Sequence, residues 1–349
     1  MRETNSIPDI SDETQDTILT IQVGGSIKER RVDKYLHGRF SNYSRVMLQE
    51  VIKAGFVKVN GKVVKPSFKL SPDDKIELTL PQLPSKEIMP ENIPLNIIYE
   101  DDDIIVLNKQ ADILVHPARG NTHGTLVNAL VFYSDKLSSG MSETVQREKE
   151  KFENAGEFRP GIIHRLDKNT TGVMVVAKND IAQWKIAKQF QDRQTKKSYL
   201  AIVHGTPELT ADRINIPLGI HPKIREKYAI RPEIGKEAIT FYEVLEEFRG
   251  FSLLKLSPRT GRTHQIRVHL SYIKHAVVAD DMYGGKLVYP WQLQGGEPAV
   301  QEPVIARVAL HAHTLEFKHP TTKKQVKFEA PLPEDMQNLL DMLRKYRKV

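Results

Sequence analysis

Residues 161–178 read GIIHRLDKNTTGVMVVAK. A polar and charged run, His164-Arg165-Leu166-Asp167-Lys168, separates the apolar pair Ile162-Ile163 from Val173-Met174-Val175-Val176. Both flanks have the β-branched character of buried strands, and Thr170-Thr171-Gly172 supplies the turn that closes the interruption. Asp167 is then a carboxylate on a loop between two strands, a position suited to chemistry. Taken alone, an aspartate in such a turn is more often a plain turn cap, in which the carboxylate accepts from its own backbone amides. The rest of the chain decides between these.

Two further segments carry functional side chains on strand-like flanks. Lys197-Ser198-Tyr199 enters the run KKSYLAIVHG. Downstream, FSLLKLSPRTGRTHQIRVHL packs three arginines and two histidines into residues 259–269. After His264 the residues alternate with strand periodicity, which predicts Gln265, Arg267 and His269 on one face and His264, Ile266 and Val268 on the other. Bases so dense within apolar sequence imply a charged partner.

Outward from these, IIYEDDDIIVLNK reads as a hairpin around three aspartates and TLVNALVFYS as a helix. AQWKIAKQFQDR is a second helix, LHAHTLEFKHP a strand, and DMQNLLDMLRKYRK a terminal helix. Strands outnumber helices without regular alternation, which predicts an α+β fold, mixed and mainly antiparallel, rather than a doubly wound one. His311 and His313 would share one face of their strand, a spacing open to metal ligation. No carboxylate or cysteine stands in a matching motif, so this reading ranks far behind the others.

The 349 residues leave room for a large core and a smaller module. No apolar run approaches the roughly 18–20 residues that cross a bilayer, and the start, MRETNSIPDISDETQDT, lacks the pattern of a secretory signal. The absence of cysteine fits a reducing cytoplasm. Net charge is +7, unevenly spread: residues 1–17 hold one base and five acids, whereas residues 28–69 hold eleven Lys/Arg against three Asp/Glu. Such a basic module on a near-neutral body suits a polyanion partner.

Residues 1–17 read as a disordered acidic tail. Then follow a strand, TILTIQV, a helix on which Val32, Tyr35 and Leu36 share a face, and a second helix capped by Ser44. In that second helix Val46, Met47, Val51 and Ile52 recur at helical spacing, and Gly55 marks its end. FVKVNGKVV is a hairpin turned by Asn60-Gly61. Residues 81–97, with four prolines, read as a linker between an 18–80 module and a 98–349 body.

The 18–80 module resembles the S4-type RNA-binding domain at Arg31, Asp33, Leu36, Ser44-Arg45 and GFVKVNGK (55–62). That resemblance implies phosphate contacts with structured RNA, for which Arg30, Arg31, Lys34, Arg45, Lys53, Lys58 and Lys62 are the candidates. In the body, GIIHRLDKNTTGVMVVAK, KSYLAIVHG and TGRTHQIRVHL are similar to the three catalytic motifs of the RluA-type pseudouridine synthases. EDDDIIVLNKQADILVHPARG and ALHAHTLEFKHP fit that family's opening and closing segments, and the S4-like module matches its bacterial large-subunit rRNA members.

The resemblance implies that Asp167 is the essential aspartate and Arg165 the arginine that enters the RNA stack when the base is extruded. It implies that Tyr199 packs against the base and handles protons, and that Arg267 pairs with the aspartate. His164, Arg262, His264 and Gln265 are carried over as residues lining the substrate site. The reaction involves no redox change or phosphoryl transfer, so no cofactor or metal is expected. The implied partner is RNA, large-subunit rRNA first and tRNA as the alternative, met by a cytoplasmic monomer without membrane attachment. The contrasting reading is an inactive RNA-binding or ribosome-assembly factor.

Some positions depart from the family pattern: Gln110 and Asp112 where proline and glycine are usual, Thr171 for serine, and Ala279-Asp280 before Asp281, where a glycine normally precedes the aspartate. Residues 134–160 and 286–303 read as insertions. None of these is expected to touch Asp167, Tyr199 or Arg267.

Overall fold

The structure, a computed structural model, describes residues 18–24, 29–40, 43, 45–79, 88–116, 123–133, 161–298 and 300–349. The acidic tail, the Ser44 cap, residues 81–87 of the linker and the 134–160 insertion lie outside the described residues. The chain divides into two compact units, one up to residue 87 and one from Ile88. No helix of the described residues is long and apolar enough to cross a membrane.

In the first unit, strands β1 (Ile18–Gln22) and β2 (Arg30–Arg31) precede helices α1 (Val32–Arg39) and α2 (Arg45–Lys53). Four short strands follow: β3 (Val57–Val59), β4 (Lys62–Val63), β5 (Lys69–Leu70) and β6 (Lys75–Thr79). The sheet order is β1-β6-β3-β4, with β2 paired to β5. Asn60 and Gly61 turn the β3–β4 hairpin with φ of 51° and 76°, the positive pair that such a two-residue turn needs. Val32, Tyr35 and Leu36 are buried as their spacing predicts. The reading of α2 needs one correction: Val46 is 57% exposed and Leu48 takes the core position beside Val51 and Ile52. Buried Asp33 ties the helices together, accepting from Arg31, Arg45 and Gln49. Burial pushes its carboxyl up, but these donors outweigh it and hold the group well below the usual carboxylate range.

The second unit starts earlier than expected. Residues 88–97, read above as linker, pack onto its core through Ile88, Ile93, Leu95 and Ile97. Strands β7 (Ile97–Glu100) and β8 (Ile104–Lys109) lead to helix α3 (Leu126–Tyr133). Strand β9 (Thr171–Ala177), helix α4 (Asp180–Gln191) and strand β10 (Lys196–His204) come next. Strands β11 (Ala211–Asn215), β12 (Leu218–Ile220), β13 (Tyr228–Ile230), β14 (Ile239–Phe248) and β15 (Phe251–Pro258) follow. Helices α5 (Gln265–Tyr272) and α6 (Pro290–Gln294), strands β16 (Leu310–Lys318) and β17 (Gln325–Glu329) and helix α7 (Glu334–Tyr346) complete it.

The large sheet runs β11-β14-β15-β10-β16-β9-β8-β7, with β17 on β16; it is antiparallel except at β16–β9, and the fold is α+β. That parallel junction requires Gly172. It sits opposite Ala312 with φ +115°, and a Cβ on it would lie 2.1 Å from the Ala312 carbonyl oxygen. Besides a small apolar cluster at Leu218, Ala238, Val268 and Tyr283, two large ones pack the unit, one around β8, β9 and α3 and the other around β10, β15, α5 and α7. Tyr199 touches both. Within the segment read as a second insertion, Val288 and Leu293 are buried and Val288 bridges to Ile305.

Two expectations fail. Ile162 makes a single bridge to Val176, and among the described residues no strand leads directly into the HRLD run. Residues 265–272 are helical, not extended. Residues 265–270 are all buried, so this helix shows no polar face, and the chance alternation of Ile266, Val268 and Leu270 imitates a period of two.

Candidate active site

Asp167 follows Leu166, which is buried in the core, and opens a turn closed by Thr170 N–H donating to the Asp167 carbonyl at 3.1 Å. The turn is fastened from three sides. Lys109 Nζ donates to the Lys168 carbonyl at 3.0 Å, and Arg307 Nη1 to the Asn169 carbonyl at 3.2 Å. Thr171 Oγ1 donates to His311 Nδ1 at 2.9 Å. The Asp167 carboxylate is thus not spent as a turn cap: Oδ2 meets Arg267 Nη1 at 3.2 Å, while Oδ1 has no hydrogen-bond partner among the described residues. Its side chain is 21% exposed, open to a cavity of about 620 Å³.

Arg267 is fixed from behind. Its Nε and Nη2 each donate at 2.7 Å to the two oxygens of Asp280, which is fully buried, and its guanidinium lies 4.9 Å above the Tyr283 ring. This fork leaves only Nη1 to face Asp167. Burial works against the Arg267 charge, but Asp280 and Asp167 outweigh it and raise its pKa, so the group stays cationic.

His264 caps α5 from a left-handed conformation, φ 56° and ψ 17°, a costly arrangement for a non-glycine residue. Tyr283 Oη accepts from Tyr228 N–H at 3.0 Å and is hydrogen-bonded to His264 Nδ1 at 2.8 Å. Burial lowers the His264 pKa, and its Nε2 stands 3.9 Å from Asp167 Oδ2. Burial pushes the Tyr283 phenol up to about 12, so it stays protonated at neutral pH.

Tyr199 enters from β10 at a bulge, where Ser198 pairs with Thr314 but Tyr199 pairs with Ala312. Such an irregularity turns a side chain out of strand register. Burial, then the nearby Asp167 charge, raises the Tyr199 pKa, so the phenol is protonated at neutral pH.

The structure therefore gathers Asp167, Tyr199, Arg267, His264, Arg165 and Arg262 around one cavity. Arg165 is exposed at its edge, and Arg262 Nε is held by the Glu237 carbonyl at 3.0 Å. His164 and Gln265 line it too, yet both are tied to the scaffold. His164 Nε2 accepts from Val175 N–H at 3.1 Å and its ring stacks on Phe190 at 4.6 Å. Burial, aided by Lys197, pushes its pKa down to about 3. The Gln265 amide has all its bonds filled, accepting from Thr260 and Arg262 and donating to Ile239 and Thr240. His311 and His313 both donate to the Ala330 carbonyl at 3.1 Å and so fasten β16 rather than form a separate centre.

Asp280 and Lys109 went unread. The expectation that ADDMYG leaves Arg267 untouched is wrong: Asp280, not Asp281, is the pairing aspartate. Ala279, at φ +59°, then stands where the family glycine does. Asp112 likewise occupies a left-handed position, φ +61°, and pairs with Lys168 at 2.9 Å. Lys109 is buried and donates to the carbonyls of Gln110, Ile113 and Lys168. Burial lowers its pKa to about 7 against the pull of Asp167, but three acceptors call for three N–H donors, which favours the ammonium.

The first unit collects the S4-like bases unevenly. Arg31 and Arg45 are committed to Asp33, and Lys53 pairs with Glu50 at 2.7 Å. Arg30, Lys34, Lys58 and Lys62 are exposed, with no ion pair among the described residues.

Comparison with known proteins gives the family of the chain. Residues 103–272 match the family model described as RNA pseudouridylate synthase, and residues 30–76 match the S4 domain. An uncharacterised RNA pseudouridine synthase of Chlorobaculum parvum is 41% identical, over 93% of this chain and 98% of the relative. The ribosomal large subunit pseudouridine synthase D of Vibrio parahaemolyticus is 38% identical, over 95% and 96%. Among solved structures, human RNA pseudouridylate synthase domain containing 4 matches with a TM-score of 0.54 at 26% identity, covering 71% of this chain and 93% of that one. With its S4 domain and this catalytic body, the chain belongs to the RNA pseudouridylate synthase family, whose members are isomerases.

Proposed function

We propose that this chain isomerises uridine to pseudouridine in structured RNA, with large-subunit ribosomal RNA as its substrate class, acting as a monomer in the cytoplasm. The observation that carries the reading is the half-open state of Asp167 on the cavity wall: one oxygen held by Arg267, the other without a hydrogen-bond partner among the described residues. The name of the Vibrio relative, similar across nearly the whole chain, supports the choice of ribosomal RNA.

The reaction breaks C1′–N1, turns the freed base and joins C1′ to C5; C5 then gives up its proton and N1 gains one, so the product is an isomer of the substrate. Asp167 starts it, whether by adding to the pyrimidine ring, adding to the sugar carbon or removing a sugar proton. Arg267 stabilises the carboxylate form and fixes its direction. Because a stacked uridine is out of reach, the base is extruded, and Arg165 at the cavity edge fills the gap. Tyr199 offers a face for the base and a protonated hydroxyl. His264 places its Nε2 3.9 Å from the same carboxylate. The exposed bases Arg30, Lys34, Lys58 and Lys62 contact RNA phosphates, whereas Arg31 and Arg45 are held by Asp33 and Lys53 by Glu50 on its own helix.

The test is Asp167→Asn, which keeps shape and removes charge. Incubated with in vitro transcribed large-subunit rRNA, the variant is expected to form no pseudouridine and to bind the RNA nearly as the wild type does. Turnover by the variant would overturn the assignment of Asp167.

A further inference from the structure

We infer that Lys197 is a phosphate-binding residue, its ammonium taking an oxygen of the RNA phosphodiester beside the extruded uridine. The inference rests on the reaction proposed above and adds a subsite to it. Lys197 stands two residues before Tyr199 on β10 and lines the same cavity. Its Nζ lies 5.8 Å from the centre of the Phe190 ring, which itself stacks on His164. Nζ also lies 3.9 Å from where a Cβ of Gly261 would stand. The head group is thus close both to an aromatic ring and to the backbone of the loop that leads into α5.

What it lacks is an anion. Lys196 next to it reaches Glu316 at 3.8 Å, and Arg193 at the cavity wall pairs with Glu237. Lys109 is filled by carbonyls and Arg267 by two carboxylates. Among the described residues Lys197 has neither a carboxylate nor a hydrogen-bond partner. Burial lowers its pKa, and no neighbouring charge acts to restore it. A cation withdrawn from water without a partner is unfavourable, and the penalty disappears when a ligand brings the opposite charge. The uracil ring is neutral. The strand that delivers it carries one negative charge per nucleotide, so a flipped uridine brings a flanking phosphate to the rim.

The experiment measures the affinity of the full chain for in vitro transcribed large-subunit rRNA over a salt series. Lys197→Met and Lys197→Gln are each expected to reduce the slope of log K against log[salt] by about 0.7–0.9, the loss of one phosphate contact, and Lys197→Arg to preserve it. Circular dichroism identifies any neutral variant that has not folded, and the remaining one decides. An unchanged slope in the folded neutral variants would overturn the assignment. Pseudouridine formation by the wild type is scored on the same RNA. Its absence counts against the parent reaction, whereas the slopes, read from binding alone, decide the Lys197 subsite.

Discussion

Replacing Asp280 by alanine tests how the site is held. Both Asp280 oxygens bind Arg267 at 2.7 Å, with the carboxylate fully buried and the Arg267 side chain 8% exposed. Breaking a buried ion pair costs about 3–5 kcal/mol, most of it from the charge left behind. Arg267 keeps a second partner, Asp167 at 3.2 Å, so the lower end applies, about 3 kcal/mol. At roughly 2 °C per kcal/mol for a unit of this size, the midpoint of thermal unfolding should fall by about 6 °C. The freed guanidinium should then close on Asp167 with two nitrogens instead of one, occupying the oxygen that is otherwise unpartnered. A shift of that kind, on the order of 1 Å, costs about 100-fold in rate. The assays are thermal unfolding by circular dichroism and single-turnover pseudouridine formation with enzyme in excess. A midpoint within 1 °C of wild type together with an unchanged rate would refute the view that Asp280 positions Arg267.

Four further outcomes are expected. His164 ties the HRLD run to β9 only when neutral, and its pKa falls from 6.5 to about 3 on folding; the stability it lends is complete above pH 6.5 and lost as pH falls toward 3, by a few kcal/mol. His164→Gln should flatten that acid limb in a stability–pH series, and an unaltered limb would exclude His164 as its source. Gly172→Ala should destabilise by at least about 3 kcal/mol, because its Cβ meets the Ala312 backbone, and near-normal thermal unfolding would contradict the close approach. In the first unit, Asp33→Ala should destabilise by removing the buried acceptor that Arg31, Arg45 and Gln49 share, seen as faster hydrogen exchange in α1 and α2; unchanged exchange would contradict that role. Neutralising Arg30, Lys34 and Lys62 together should lower the salt slope of RNA binding by about two, and an unchanged slope would remove them from the interface.

Much of the site was legible because its parts stand in short, polar interruptions of apolar sequence. Asp167, Tyr199 and Arg267 come from three segments, and their convergence on one cavity is what sets Asp167 apart from a turn cap. Helix α5 was hidden because it is buried on every side, which erases the helical period and leaves an apparent alternation. Asp280 was hidden by its neighbour: two adjacent aspartates look alike in sequence, and only the left-handed turn at Ala279 selects the inner one. Lys109 ends a strand and would be read as a solvated terminus; its burial follows from how the 110–113 and 168 carbonyls fold over it. In the S4-like unit the sequence shows bases but not where their acids fold, so the commitment of Arg31 and Arg45 to Asp33 is visible only in three dimensions. Residues 88–97 were read as linker from their prolines, although Ile88, Ile93 and Leu95 already carried the apolar signal of packing.

The central claim is that this chain makes pseudouridine in large-subunit rRNA through Asp167. The most direct measurement maps pseudouridines at nucleotide resolution in cellular rRNA, with the gene intact, deleted, and restored as wild type or as Asp167→Asn. The account predicts that at least one large-subunit pseudouridine disappears on deletion, returns with the wild-type gene and stays absent with Asp167→Asn. A large-subunit map unchanged by deletion, or restored by Asp167→Asn, would contradict it.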